Sequence, residues 1–315
     1  MEYFGQSITR RRAAGRCGGV ASLLLTPRLI ASAMAQAAKG LLARPIPHGG
    51  GETLPVVGVG TSGVFEVGPA PQERAGPAAV VRALVDHGCT LIDTAPSYGE
   101  AETVIGDILV QTRLRPRVFI ATKLEEYRRG GEEAEARGCL QRLRTTKLDA
   151  LQLHNVRDSN QDMAGLNALK AKGICRYTGI TTTFEGDYGA AEAIVRRTKP
   201  DFLEIDYAID NREAEKRLLP AAKDAGTAVL VALPFGRGRL FRSALGKKLP
   251  DWAAGFDCTS WGQFFLKFIL GDPRVTAVIP GTDKPAHMID NLDAGRGRMP
   301  DAGERQRMVK YVESL

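Results

Sequence analysis

The sequence predicts a single α/β domain folded as a closed (β/α)8 TIM barrel. Two observations predict it. From Leu54 onward, short β-branched and apolar runs alternate with longer stretches of helical spacing. Such alternation builds a parallel sheet whose faces are covered by helices. Eight strand–helix units follow one another within roughly 260 residues, the span a closed eightfold barrel needs.

In chain order, the strand candidates are Val56–Gly60, Thr90–Asp93, Val118–Thr122, Ala150–His154, Ile174–Ile180, Phe202–Asp206, Ala228–Leu233 and Thr276–Ile279. Between them, Ala79, Val80, Ala83, Leu84 and His87 mark one apolar helical stripe. Ile194 follows Ala190 by one turn, Leu218 follows Ala214, and Phe265, Phe268 and Ile269 form another face. An open doubly wound sheet is the alternative architecture. Gly58-Val59-Gly60 begins like a dinucleotide fingerprint, but Thr61-Ser62-Gly63 follows without the expected ending and helix. The longest stretch without an assigned element runs from Phe235 to Asp257, between the seventh strand and its helix. Long loops in compact domains serve as lids or binding loops.

Composition narrows the function classes. The 315 residues are 43% hydrophobic and 25% charged, ordinary for a soluble globular chain. No apolar run reaches the ~18–20 residues of a membrane-spanning helix, so no membrane partner is expected. The net charge of +7 suggests a nucleic-acid binder. However, Arg10, Arg11, Arg12, Arg16 and Arg28 face only Glu2 in the first 35 residues, leaving about +3 for the rest. There the basic residues are interleaved with acids, and no nucleic-acid partner is expected. Cys17, Cys89, Cys139, Cys175 and Cys258 lack CxxC or Cys/His spacing, which argues against a zinc site or disulfide framework. No metal is expected, and Cys89 and Cys175 read as packed thiols.

Residues 1–38 read as a leader and 39–315 as the barrel. Thr9-Arg10-Arg11-Arg12, then Leu23-Leu24-Leu25, then Ala33-Met34-Ala35 place a basic segment, an apolar segment and a small-x-small cleavage site in order. The arginines resemble a twin-arginine export signal, which implies a periplasmic or exported protein. The alternative is a cytoplasmic enzyme with a disordered basic tail.

A barrel of this type carries its active site at the C-terminal ends of its strands. Strand two runs into Asp93-Thr94-Ala95-Pro96-Ser97-Tyr98-Gly99, strand three into Thr122-Lys123, and strand four into His154-Asn155. Each side chain alone has an ordinary reading: Asp93 a turn former, Tyr98 surface packing, Lys123 a solvated cation, His154 a structural imidazole. Together they put an acid, a phenol, an amine and an imidazole on one stretch of rim.

The segment Asp93 to Glu102 resembles the signature of aldo-keto reductases. Lys123 after Ala-Thr, His154 after Leu-Gln-Leu, and Ile279-Pro280-Gly281-Thr282 with Asn291 extend the resemblance from about Ile46 to Asp293. The resemblance implies a catalytic tetrad of Asp93, Tyr98, Lys123 and His154, a nicotinamide cofactor and a small carbonyl substrate. The chemistry asks for those types. Hydride transfer to a carbonyl carbon builds negative charge on oxygen, and a proton must arrive there. A phenol with a pKa near ~10 keeps its proton at neutral pH, and a neighbouring ammonium makes it a stronger acid. Tyr98 is then the general acid, Lys123 its tuning cation, and Asp93 the anchor of Lys123. His154 donates a hydrogen bond to the carbonyl oxygen.

The resemblance also implies cofactor contacts. Gly60 and Thr61 stand at the first strand end, and Thr181 and Thr182 stand where relatives carry a Ser-Asn pair. Thr182 cannot supply both functions of an asparagine amide. Glu204 replaces a usual Gln, Ala232 a frequent Tyr, and Leu233 a frequent Ser. Pro234, Phe235, Gly236, Gly238 and Leu240, with Arg237 and Arg239, suggest a pyrophosphate cradle. Thr282, Lys284, His287 and Asn291 suggest a 2′-phosphate site behind Pro285, which favours NADPH over NADH.

Two rival functions remain open. One is a nucleotide-loaded accessory or sensing module with little turnover. The other is an unrelated barrel lyase using Lys123 as a Schiff base. Phe65, Tyr127, Trp252 and Trp261 are candidates to line an apolar substrate pocket. Oligomeric state is not readable from the sequence, although a closed barrel leaves no free sheet edge to pair.

Overall fold

The computed structural model describes residues 40–125 and 131–315. The leader assigned to residues 1–38, and Tyr127, lie outside the described residues. A short antiparallel hairpin, β1 (Ala43–Pro45) with β2 (Thr53–Pro55), precedes the barrel. Then follow β3 (Val59–Gly60), α1 (Pro71–Asp86), β4 (Leu91–Asp93), α2 (Ala101–Thr112), β5 (Phe119–Leu124) and α3 (Glu132–Arg142). Next come β6 (Leu148–Leu153), α4 (Ala164–Ala171), β7 (Cys175–Thr182), α5 (Tyr188–Thr198), β8 (Phe202–Asp206) and α6 (Leu218–Ala225). The chain ends through β9 (Ala228–Ala232), α7 (Arg239–Ser243), α8 (Trp261–Leu270), β10 (Ala277–Val278), α9 (Pro285–Asp293) and α10 (Ala302–Glu313).

Strands β3 to β10 lie side by side in chain order, each parallel to the next. Parallel bridges Val57 to Val278 and Gly60 to Gly281 join the two ends and close the barrel. The closure is tight. A Cβ on Gly60 would lie 2.7 Å from the Ile279 carbonyl oxygen, so only glycine fits there.

Alternate residues point inward and fill the barrel in layers. The lower interior is apolar, with Leu91, Ala150, Ala228 and Ala277 buried around an aromatic trio. Phe119, Tyr177 and Phe202 meet there at centroid distances of 5.6–5.9 Å, worth about 0.5–1.5 kcal/mol per pair beyond burial. Ile46 and Leu54 of the hairpin join this cluster. The upper interior is polar: Asp93, Lys123, Gln152 and Glu204 are all buried. That switch from apolar to charged marks the end of the barrel where chemistry is possible.

The predicted strands match within one to a few residues, and the hairpin is an addition. Helix faces differ by a small rotation. In α1 the buried face is Pro77, Val80, Val81, Leu84 and Val85, while His87 is exposed at the C-cap. In α5 Ala191, rather than Ala190, is buried with Ile194. The stretch from Phe235 to Asp257 contains α7 and a 3-10 segment over Asp251–Phe256. Phe65 is fully buried. Trp252 packs on Phe256, Phe264 and Tyr311, and Trp261 on Phe264, Phe265 and Tyr311. These three aromatics therefore pack the fold and are not among the residues of the rim cavity. Ser260 caps α8 by accepting from the Gln263 amide at 3.0 Å. Among the described residues no helix is long and apolar enough to cross a membrane.

Candidate active site

A cavity of about 430 Å³ opens at the C-terminal ends of the strands. Asp93, Tyr98 and His154 line it, and Lys123 lies fully buried next to Asp93. The Lys123 ammonium donates to both Asp93 carboxylate oxygens at 2.8 Å and to the Thr94 carbonyl at 3.0 Å. It lies 5.3 Å from the Tyr98 ring centroid. Tyr98 meets His154 edge-on, with centroids 5.9 Å apart. Adjacent strands β4, β5 and β6 thus bring the four sequence-predicted residues together.

A second carboxylate complicates the electrostatics. Glu204, on β8 across the barrel, lies 3.2 Å from the Lys123 ammonium. It also accepts from Gln152 Nε2 at 2.9 Å. One buried cation therefore serves two buried acids. Burial and the Glu204 charge hold the Asp93 carboxyl well above the usual carboxylate range, against the pull of Lys123. Burial opposes the Lys123 charge, but Asp93 and Glu204 outweigh it and keep the ammonium protonated. Burial pushes the Tyr98 phenol up; Lys123 pulls it down, and Asp93 and Glu204 push it further up. The balance lies above the ordinary phenol value. Lys123 pulls the phenol in the direction the sequence predicts, and burial outweighs that pull.

The remaining walls come from other strand ends. Gly60 and Thr61 line the cavity after β3, and Thr61 ties this wall to β4 by donating its amide and hydroxyl to the Asp93 carbonyl at 3.1 and 3.0 Å. Glu204, Ala232 and Leu233 also line it, as do Pro234, Phe235 and Gly238. Thr181 and Thr182 are buried and do not line it. Instead, Thr181 Oγ accepts from the Asn155 amide at 2.7 Å, and Thr182 Oγ reaches the Phe184 carbonyl at 3.4 Å. Asn155 and Thr183, absent from the sequence expectation, take their place on the wall. Thr183 Oγ donates to Asn155 Oδ1 at 3.2 Å, leaving the Asn155 Nδ2 group as a free donor type on that wall. A left-handed backbone at Asn155 (φ 49°) was the missing cue, and no sequence pattern announces it.

The loop after β9 departs from a simple phosphate cradle. Leu233, Gly236, Arg237 and Gly238 all have positive φ. The amides of Gly236 and Gly238 donate to the Leu233 and Phe235 carbonyls at 2.9 and 3.0 Å, so both close the turn rather than point at an anion. Arg239 is paired with Asp210 at 2.6 Å, and Arg237 alone of the two arginines lines the cavity. Leu240 is buried in the core. Farther along, Lys284 is the N-cap of α9 and, like His287, is exposed. Thr282 Oγ accepts from the Lys284 amide at 3.1 Å, and Asn291 is buried. None of Thr282, Lys284, His287 and Asn291 lines this cavity.

Barrel and rim cluster together define an oxidoreductase-type (β/α)8 architecture with a phenol over a buried ammonium. Residues 56–303 match the Aldo/keto reductase family, and the chain belongs to that family. The chain is 29% identical over 253 residues to methylglyoxal reductase YeaE of Escherichia coli, covering 78% of this chain and 87% of that protein. It is 26% identical over 281 residues to aldo-keto reductase str7 of Strobilurus tenacellus, covering 77% and 82%. A Klebsiella pneumoniae aldo-keto reductase solved with NADPH superposes with a TM-score of 0.70 at 24% identity, covering 86% of this chain and 95% of that one. The glycerol dehydrogenase AKR11B4 of Gluconobacter oxydans gives 0.71 at 19% identity, covering 88% and 96%. At these identities the solved structures speak to the fold.

Proposed function

We propose that the chain is an NADPH-dependent reductase of small aldehydes and ketones. The observation that carries this reading is the buried Lys123–Asp93 pair set against Tyr98, with His154 beside it, on one cavity. The donor set of the cavity fits a nicotinamide. A carboxamide needs an acceptor for its NH2 and a donor for its oxygen; Glu204 supplies the first and the Asn155 side-chain amide the second. Asn155 thereby replaces the function missing at Thr182. Arg237 supplies positive charge for the pyrophosphate. Lys284 and the N-terminus of α9 supply it for a 2′-phosphate, which favours NADPH over NADH. The methylglyoxal reductase relative and the NADPH-bound neighbour support the substrate class and the coenzyme.

When bound, the reduced nicotinamide supplies the hydride that reduces the carbonyl carbon. Tyr98 gives its proton to the carbonyl oxygen, forming the alcohol, and regains one from solvent through the open cavity. Lys123 stabilises the transient phenolate, and Asp93 holds Lys123 in place. His154 orients the oxygen.

The test follows NADPH and NADH absorbance with methylglyoxal and with aromatic and short aldehydes, using the chain from Gln36. Turnover that falls by about 10²–10⁴ in Tyr98→Phe, with coenzyme binding retained, is expected. Tight coenzyme binding without turnover on any carbonyl would favour the accessory-module reading, which Thr182 and Ala232 support. Export through the arginine-rich leader is part of the proposal; N-terminal sequencing of native protein that finds Met1 intact would overturn it.

A further inference from the structure

One polar group beside the cavity has no part in the mechanism above. Glu125 follows β5 two residues after Lys123, so it emerges at the rim where Lys123 is buried. Its Oε1 lies 2.6 Å from His154 Nδ1. The same oxygen accepts from the Ser97 hydroxyl at 2.6 Å and from the Ser97 amide at 3.3 Å. Ser97 immediately precedes Tyr98 in the chain. One carboxylate oxygen thus ties the loop that carries the proposed acid to the imidazole beside it. Its backbone is held as well, the Glu125 amide donating to Glu135 Oε1 at 2.5 Å.

This contact decides the chemistry of His154. An ionised carboxylate only accepts hydrogen bonds. Burial opposes the Glu125 charge, but the bonds from His154 and Ser97 outweigh it and hold the carboxyl below its ordinary range. His154 Nδ1 must therefore carry a hydrogen. In the neutral ring Nε2 is then a bare acceptor and cannot donate to a carbonyl oxygen. Only the doubly protonated ring offers a donor at Nε2 while keeping the bond to Glu125.

We propose that Glu125 is a positioning residue that makes His154 work as an imidazolium, donating from Nε2 to the substrate carbonyl oxygen while Nδ1–H stays on Glu125. The inference rests on the reductase reading for its role in turnover, but not for the state of the ring. Tyr98 faces His154, and Lys123, Asp93 and Glu204 lie behind Tyr98. Arg157 and Asp158 share a neighbouring cavity with Glu125 and His154, and Arg237 lies on the far wall. Of these groups, Glu125 alone is in hydrogen-bond contact with the ring. The net field of the others is common to wild type and variant.

The experiment has two readouts. The first is 15N NMR of the imidazole in the resting full-length protein across pH, compared with Glu125→Gln. Nδ1 protonated in the wild-type ring, and that preference lost in Glu125→Gln, is the expected result. The second is the pH profile of kcat/KM for aldehyde reduction. The loss in Glu125→Gln is expected to grow with pH, reaching roughly tenfold on the alkaline limb. Glu125→Asp should recover part of it. A wild-type ring with Nδ1 bare, or superimposable profiles, would overturn the proposal. Absence of turnover in wild type would instead count against the reductase reading, and the NMR result would stand by itself.

Discussion

The rim built by β4 to β6 and the rim built by β7 to β10 solve different problems. On the first, the buried cation and the imidazole each have a defined partner. Lys123 is held by Asp93, Thr94 and Glu204, and His154 by Glu125. On the second, beyond Glu204 and Thr183, the wall includes Ala232, Leu233, Pro234 and Phe235, with a left-handed backbone at Leu233 and Arg237. Proton transfer needs particular functional groups at particular distances. Holding a large flat ligand needs shape, a few donors and backbone, which many residue types supply. The two halves therefore differ in how far a residue's identity predicts its role.

The sharpest break of this contrast is Lys123→Met. It removes the one cation shared by two buried acids, and breaking such a pair costs about 3–5 kcal/mol. A carboxyl raised above its unfolded value stabilises at low pH and loses that contribution as pH rises through its folded value. The deficit should therefore be smaller at pH 5 than at pH 7 in denaturant melts, and an equal deficit would contradict the two-acid arrangement. Glu204→Gln comes next. Removing one acid lets Lys123 act on Tyr98 less opposed, so the phenol should ionise at lower pH. Ultraviolet difference titration of the variant, with Tyr98→Phe as reference, reads that shift. No shift would mean that Glu204 is screened from Tyr98.

On the other half, the effects should be milder. Ala232→Tyr offers a ring to stack on a nicotinamide and should tighten coenzyme binding by about 0.5–1.5 kcal/mol. Fluorescence titration checks it; weaker binding would show that the cavity uses the space at Ala232. Lys284→Ala should weaken NADPH by about 0.3–1 kcal/mol and leave NADH unchanged. Equal losses for both coenzymes would remove the 2′-phosphate from this helix start.

Much of this was legible before any coordinates. Strand positions follow from runs of β-branched residues, because branched side chains pack well on a pleated sheet surface. Helix faces were legible only to within a small rotation. Ala79 and Ala83 looked apolar, yet the larger Val81 and Val85 took the core-facing positions of α1, because buried area rather than apolar character alone sets the face. Gly236 and Gly238 looked like a cradle because glycine permits close approach. The same residues also permit the positive φ of a tight turn, and that is how they are used.

By itself, then, the sequence determined the order of strands and helices and the four reactive side chains at adjacent strand ends, since both are local patterns. Tertiary structure alone decided that Glu204 meets Lys123 across the barrel, that Glu125 meets His154, and that Asn155 rather than Thr182 faces the cavity. Those contacts join strands far apart in the chain or depend on one backbone dihedral. Closing the barrel converges inward-facing residues on a common axis, and only that closure decides which acids share a cation.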